Sequence, residues 1–99
     1  MKTPEFYEKQ DIDEFLESLI FDGNSLWFFC PYTAGYGKSG VPDRAGCWRG
    51  KFFAIEVKRP GKEPTPIQWR RMAEIEAAGG KPFWGTSSKV IPEFEAWIA

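Results

Sequence analysis

Three residues near the middle of the chain, Asp43, Glu56 and Lys58, have the types and spacing to hold a divalent cation and to work beside it. Residues 44–48 and 52–58 read as two strands around Arg49-Gly50-Lys51, a hairpin turn. If Arg49 and Gly50 are the two turn residues, Trp48 stands opposite Lys51, and counting back brings Asp43 opposite Glu56. A three-residue turn would shift this pairing by one. Directly paired side chains have Cβ atoms about 4.5–5.5 Å apart, and like charges so placed destabilise a sheet. A divalent cation offsets that repulsion, and Mg²⁺, which keeps much of its water, takes one or two protein carboxylates. Side chains alternate along a strand, so Glu56 and Lys58 share a face with Ala54, while Phe53, Ile55 and Val57 point the other way. A Lys ammonium there can position a water nucleophile and stabilise charge developing on a phosphate, while the cation lowers the water's pKa. The competing reading makes Asp43 a turn residue after Pro42 and Glu56–Lys58 an ion pair on an exposed hairpin face.

The elements that must position these groups follow from periodicity and punctuation. Ile12, Phe15, Leu16, Leu19 and Ile20 recur at helical spacing and Asp22-Gly23-Asn24 ends the pattern. That helix has two possible starts: Thr3-Pro4, an N-cap with proline at the first position, and Asp11-x-x-Glu14, a capping box. Residues 25–30, SLWFFC, read as a buried strand, and the Gly- and Pro-rich stretch 31–42 as a loop. After a second loop, RPGKEP at 59–64, Thr65-Pro66-Ile67-Gln68 opens a helix with a capping box that Gly79-Gly80 closes. Trp69, Met72, Ala73 and Ile75 of that helix are expected in the core. A last strand over 82–85 and a terminal helix over 91–98 complete the order α-β-β-β-α-β-α, an α/β architecture with a mixed central sheet flanked by helices.

Composition limits what this framework can be. A chain of 99 residues, 42% hydrophobic and 17% aromatic, closes one modest core, so residues 1–99 are expected to form a single domain. No apolar run approaches the roughly 18–20 residues that span a bilayer, and the start MKTPEFYEKQD lacks a signal-peptide apolar stretch. The expectation is a soluble protein of the cytoplasm, or of the host cytoplasm if viral, with no membrane partner and no organic cofactor. There is no His, which removes most Ser/His and Cys/His nucleophile chemistry and leaves carboxylates, Lys and bound metal. Cys30 and Cys47 form no CxxC pair and read as reduced, partly buried thiols. The net charge of -1 argues against a protein that coats nucleic acid. Its distribution is uneven, however: residues 33–71 hold nine basic against three acidic side chains, whereas residues 1–32 hold two against seven. A basic middle between acidic ends suits a local phosphate contact.

GVPD at 40–43, AIEVKRPGK at 54–62, TPIQ at 65–68 and AAGGKPFWG at 77–85 resemble, in order and spacing, the VRR-NUC branch of the PD-(D/E)xK nucleases. The resemblance runs from about Lys38 to Gly85. It implies a restriction-endonuclease-like core in which Asp43 and Glu56 ligate Mg²⁺ or Mn²⁺, Lys58 assists the attacking water and Gln68 lines the site. Gln68 also has the capping-box explanation, and both roles can hold together. The family carries a further Glu on its first helix near the metal; Glu8 is the choice here, with Glu5, Asp11 and Glu14 as rivals. Lys38, Arg59, Lys62, Arg70 and Arg71 border the expected site and are candidates for phosphate contact, and Tyr36 could stack on a base. The implied activity is endonucleolytic hydrolysis of DNA, selective for shape or junctions because so small a domain has little surface for reading bases. Relatives resembling Holliday junction resolvases imply a homodimer. The alternative is a noncatalytic nucleic-acid-binding module that keeps the fold, against which the paired carboxylates, repelling phosphate, argue.

Overall fold

The computed structural model describes residues 2–32 and 35–99; of the expected loop 31–42, Thr33 and Ala34 lie outside the described residues. The first helix, α1 (Pro4–Phe21), takes the earlier of its two possible starts. Thr3 Oγ1 accepts the Phe6 N–H at 3.2 Å, and Pro4, with no N–H to satisfy, occupies the first turn. Its end is set by Gly23 at φ 90 and by Asn24, whose Nδ2 donates to the Leu19 carbonyl at 2.9 Å.

Four strands follow: β1 (Leu26–Phe29), β2 (Arg44–Trp48), β3 (Lys51–Val57) and, after helix α2 (Pro66–Ala77), β4 (Lys81–Gly85). They form one sheet in sequence order, antiparallel except for β4, which lies parallel to β3 because α2 is the crossover between them. Arg49 and Gly50, at φ 47 and 85, make the two-residue turn whose positive φ values match strand twist. Trp48 pairs with Lys51, so the register is the expected one. Helix α3 (Ser87–Ile98) starts a turn earlier than the apolar spacing over 91–98 indicates, since its first residues are polar.

One face of the sheet makes the core. Leu26, Trp48, Phe53, Ile55, Val57 and Phe83 meet Ile12 and Leu16 of α1 and Val90 and Phe94 of α3. Phe94 is fully buried, with its ring 5.0 Å from Phe53, 5.3 Å from Phe83 and 5.4 Å from Trp97; truncating such a ring to Ala costs about 3–5 kcal/mol. Gly46 lies in this layer because a Cβ there would stand 2.2 Å from the Trp27 carbonyl oxygen.

The opposite face is only half covered, and here the structure corrects several expectations. Helix α2 lies over β4 and β3 rather than over β1 and β2, although Ala45 of β2 is buried on this face. The strand β1 is therefore not buried: Leu26 faces the core, but Trp27 and Phe29 are exposed. Cys30 and Cys47, expected partly buried, are exposed free thiols. Of the four α2 residues expected in the core only Met72 is buried. Trp69 packs edge-on against Trp84, ring centres 5.4 Å apart, yet stays 44% exposed, Ala73 is exposed and Ile75 is half-buried, because a helix over a sheet edge buries only a narrow stripe. No helix of the described residues is long and apolar enough to cross a membrane.

Candidate active site at the β2–β3 end

The turn Arg49-Gly50 fixes where the carboxylates meet. Arg44 pairs with Ile55, so Asp43, one residue earlier, stands beside Glu56. The Val57 N–H donates to Asp43 Oδ2 at 2.9 Å, tying this side chain across the ladder. Local sequence sets up the approach. Gly40, at φ 72, packs so close to Ile67 of α2 that a Cβ would fall 2.7 Å from its side chain, and Pro42 beyond it is buried. On the other strand, the Lys58 N–H donates to the Gly85 carbonyl at 2.9 Å, which extends the β3–β4 ladder one rung and holds Lys58 in line with Glu56.

Glu56 is 3% exposed, and its Oε1 has no hydrogen-bond partner. Its carboxyl is pushed up to about 9, chiefly by burial, then by hydrogen bonding with Asp43 and by the Asp43 charge, with Glu5 adding to the rise and Lys58 opposing it. Lys58 Nζ lies 3.8 Å from Glu56 Oε2, and Lys9 Nζ of α1 lies 3.5 Å from Asp43 Oδ1. Without a cation, then, one carboxyl of the pair keeps its proton and each carries a Lys at its outer edge. That donor set fits a divalent ion. A buried, unpartnered carboxylate oxygen beside a second carboxylate is what an ion needing one or two protein oxygens and several waters requires. Among the described residues no set of three metal-ligating side chains converges, so the pair would share the ion with water.

Asp43 is held from behind by a group absent from the sequence expectations. Arg44 is buried on the core face, where it forks onto Asp13 of α1, Nε to Oδ1 at 2.6 Å and Nη2 to Oδ2 at 2.9 Å. Its Nη1 donates to the Asp43 carbonyl at 2.7 Å, and the Asp13 hydrogen bonds hold the guanidinium above its usual pKa. Strand alternation carried the signal: Arg44 falls on the same face as Gly46 and Trp48, where a cation needs an acid above it. Lys9 was missed as well, although it stands one helical turn after Glu5, 3.9 Å away.

The structure places the other expected residues unevenly. Arg59 and Lys62 join Lys58, Thr3, Glu5, Glu63 and Thr65 in the wall of a cleft of about 490 Å³ between the start of α1 and the β3–α2 loop. Glu8 is elsewhere: its Oε1 accepts the Ser87 N–H at 2.6 Å, supplying the α3 N-terminus with the acceptor that Thr86 does not provide. The α1 acid facing the cleft is Glu5. Gln68 Oε1 accepts the Thr65 N–H at 2.9 Å and its own N–H reaches Thr65 Oγ1 at 3.4 Å, a complete capping box, and Gln68 is not in the cleft wall. Arg71 ties the Gly-rich loop to α2 through the Ser39 carbonyl at 2.8 Å and Glu74 at 3.0 Å. Lys38 is 3.9 Å from the same Glu74. Arg70 and Tyr36 are exposed. A larger cavity of about 890 Å³ runs along α1, with Lys9 and Arg44, both in contact with Asp43, in its wall.

Comparison with known proteins agrees with this architecture. No protein-family profile matches the chain. A curated protein of Acyrthosiphon pisum secondary endosymbiont phage 1, named "Putative nuclease p44", is 46% identical over 44 residues, a match covering 43% of this chain and 47% of that protein. The chain thus matches about half the length of that relative. The solved structure of a VRR_NUC domain superposes with a TM-score of 0.77 over 95% of this chain and 97% of its own, at 24% identity. The described residues form an α/β fold with a four-stranded mixed sheet and three helices. The fold is that of the VRR_NUC domain, with the element order expected from sequence.

Proposed function

We propose that this protein is a metal-dependent endonuclease that hydrolyses phosphodiester bonds in DNA. The observation that carries the reading is the buried Glu56 beside Asp43, with Lys58 on the same face. Binding alone needs no such pair, which repels phosphate. Asp43 and Glu56 would hold Mg²⁺ or Mn²⁺, which when bound neutralises charge on the phosphate and lowers the pKa of water. Lys58, free to turn from Glu56 once that carboxylate is engaged, orients the attacking water and stabilises charge on the phosphate oxygens. Arg59 and Lys62 draw the DNA backbone into the cleft. The fold and the phage relative's name support the assignment.

The substrate is a branched or otherwise distorted duplex, because so small a domain has little surface for reading bases. A homodimer would bring two sites to the two strands of a junction. Purified protein incubated with supercoiled, linear and four-way-junction DNA in each metal tests these statements. Cleavage with either ion that Asp43→Asn abolishes is expected. Binding without cleavage would make the chain a noncatalytic module, and equal cutting of all three substrates would remove the structure preference.

A further inference from the structure

We propose that Lys9 is a resident cation of the active centre: it holds the Asp43 carboxylate in the empty site and passes to Glu5 when the carboxylates take up a divalent ion. The proposal rests on reading Asp43 and Glu56 as a metal-holding nuclease pair and adds a positioning residue that sets how tightly the pair binds its ion.

Helix α1 brings three charged side chains toward Asp43 in one stripe. Glu5, Lys9 and Asp13 recur at intervals of four, so they lie one above another on the same face of the helix. Ile12 and Leu16 of the same helix are fully buried in the core and fix how α1 stands over the sheet. Asp13 grips the main chain of Asp43 through Arg44, whose Nη1 donates to the Asp43 carbonyl at 2.7 Å. Lys9 grips the side chain, with its Nζ 3.5 Å from Asp43 Oδ1. The other oxygen, Oδ2, accepts the Val57 N–H at 2.9 Å. The carboxylate oxygen of Asp43 that is not tied to the backbone is therefore the one that Lys9 faces.

This contact differs from a solvated surface pair. The Lys9 and Asp43 side chains are 32% and 24% exposed, and the acid belongs to the pair that a divalent ion needs. An ammonium and a divalent ion compete for the same oxygen, and they repel each other at a separation of a few ångströms. In the empty site two ammonium groups, Lys9 and Lys58, face two carboxyls, so both must yield when an ion enters. Lys58 turns toward the attacking water. Lys9 has a second acid at hand, since Glu5 Oε2 stands 3.9 Å from the same Nζ, one helical turn back. The ammonium already lies between the two acids, and a short rotation about its side-chain bonds carries it from Asp43 to Glu5 with every charge still partnered. Glu5 stands in the wall of the cleft, so the exchange also keeps the lysine beside the site.

Calorimetric titration of Mn²⁺ into the DNA-free protein tests this through a double-mutant cycle. Lys9→Met keeps the aliphatic stem and removes the competing charge, so Mn²⁺ should bind about tenfold more tightly. Lys9→Arg, which keeps the charge, should not tighten it, and Lys9→Gln should repeat the Met result. Glu5→Gln leaves Lys9 only Asp43, so it should weaken Mn²⁺ binding by about tenfold, and by clearly less in the Lys9→Met background. Circular dichroism confirms folding of each variant. The Mn²⁺ concentration that gives half-maximal cleavage of DNA should fall in Lys9→Met in parallel with the calorimetric value. Mn²⁺ affinity left unchanged or lowered by both Lys9→Met and Lys9→Gln would overturn the proposal, since Lys9 is then only a brace. An equal effect of Glu5→Gln in both backgrounds would overturn it as well, because no exchange then links the two residues. Tightened, Glu5-coupled Mn²⁺ binding in a protein that cuts no DNA supports the resident cation and overturns the nuclease reading instead.

Discussion

Replacing Glu56 by Gln removes one ionisable group while keeping its shape, and the pH dependence of the effect follows from the burial of that carboxyl. In the folded protein Glu56 keeps its proton up to about pH 9, against an ordinary value of 4.5. At intermediate pH the native state therefore binds one proton more than the unfolded chain, so stability falls as pH rises. This contribution is fully present below pH 4.5 and is lost as pH climbs through 9. From pH 5 to pH 8, three units at about 1.36 kcal/mol each amount to about 4 kcal/mol. Without metal, Glu56→Gln should thus differ little from wild type at pH 5 and be more stable by a few kcal/mol at pH 8. Urea denaturation followed by tryptophan fluorescence, in chelator, measures this directly. Adding Mg²⁺ or Mn²⁺ at pH 8 should raise wild-type stability, because the ion replaces the proton, and should leave the Gln variant nearly unchanged. A stability difference that stays flat from pH 5 to pH 8 would refute the reasoning.

Lys58→Met should lower cleavage by orders of magnitude with metal affinity near wild type by calorimetry, because a protonated Lys is no ligand. Gln68→Ala should lose about 1 kcal/mol with its capping box, while Gln68→Glu keeps the box and the melting temperature. Cleavage by both variants below their melting points confines Gln68 to the helix start, and loss of it beyond any unfolding adds a role at the site. Glu8→Gln should cost up to about 1 kcal/mol at the α3 N-terminus without affecting cleavage by folded protein, whereas Glu5→Gln should alter metal affinity, read by the same calorimetry. DNA affinity should decline with salt along a shallow slope set by a few phosphate contacts, and a flat response measured by anisotropy would remove DNA as the substrate.

What the sequence determined by itself is what short-range geometry controls. Thr65-Pro66-Ile67-Gln68 specifies a helix start because a cap bonds residues only three apart. Arg49-Gly50 offered a two-residue turn that would bring Asp43 to Glu56 across 13 residues, while a three-residue turn shifting the register by one stayed open until the strands were seen paired. Lys58 followed from alternation along one strand. The start of α1 was open between Thr3 and Asp11, since each offers a sound local cap, and the choice fell to the longer helix. Only the tertiary structure decided the rest. Arg44 meets Asp13 across 31 residues, Glu8 serves the start of α3 across 79, and Lys9 reaches Asp43 from another element. The exposure of Trp27, Phe29 and Phe52 was equally hidden. An apolar strand reads the same whether or not a helix covers it, and the placement of α2 over β4 and β3 depends on how whole layers pack rather than on any neighbouring residue.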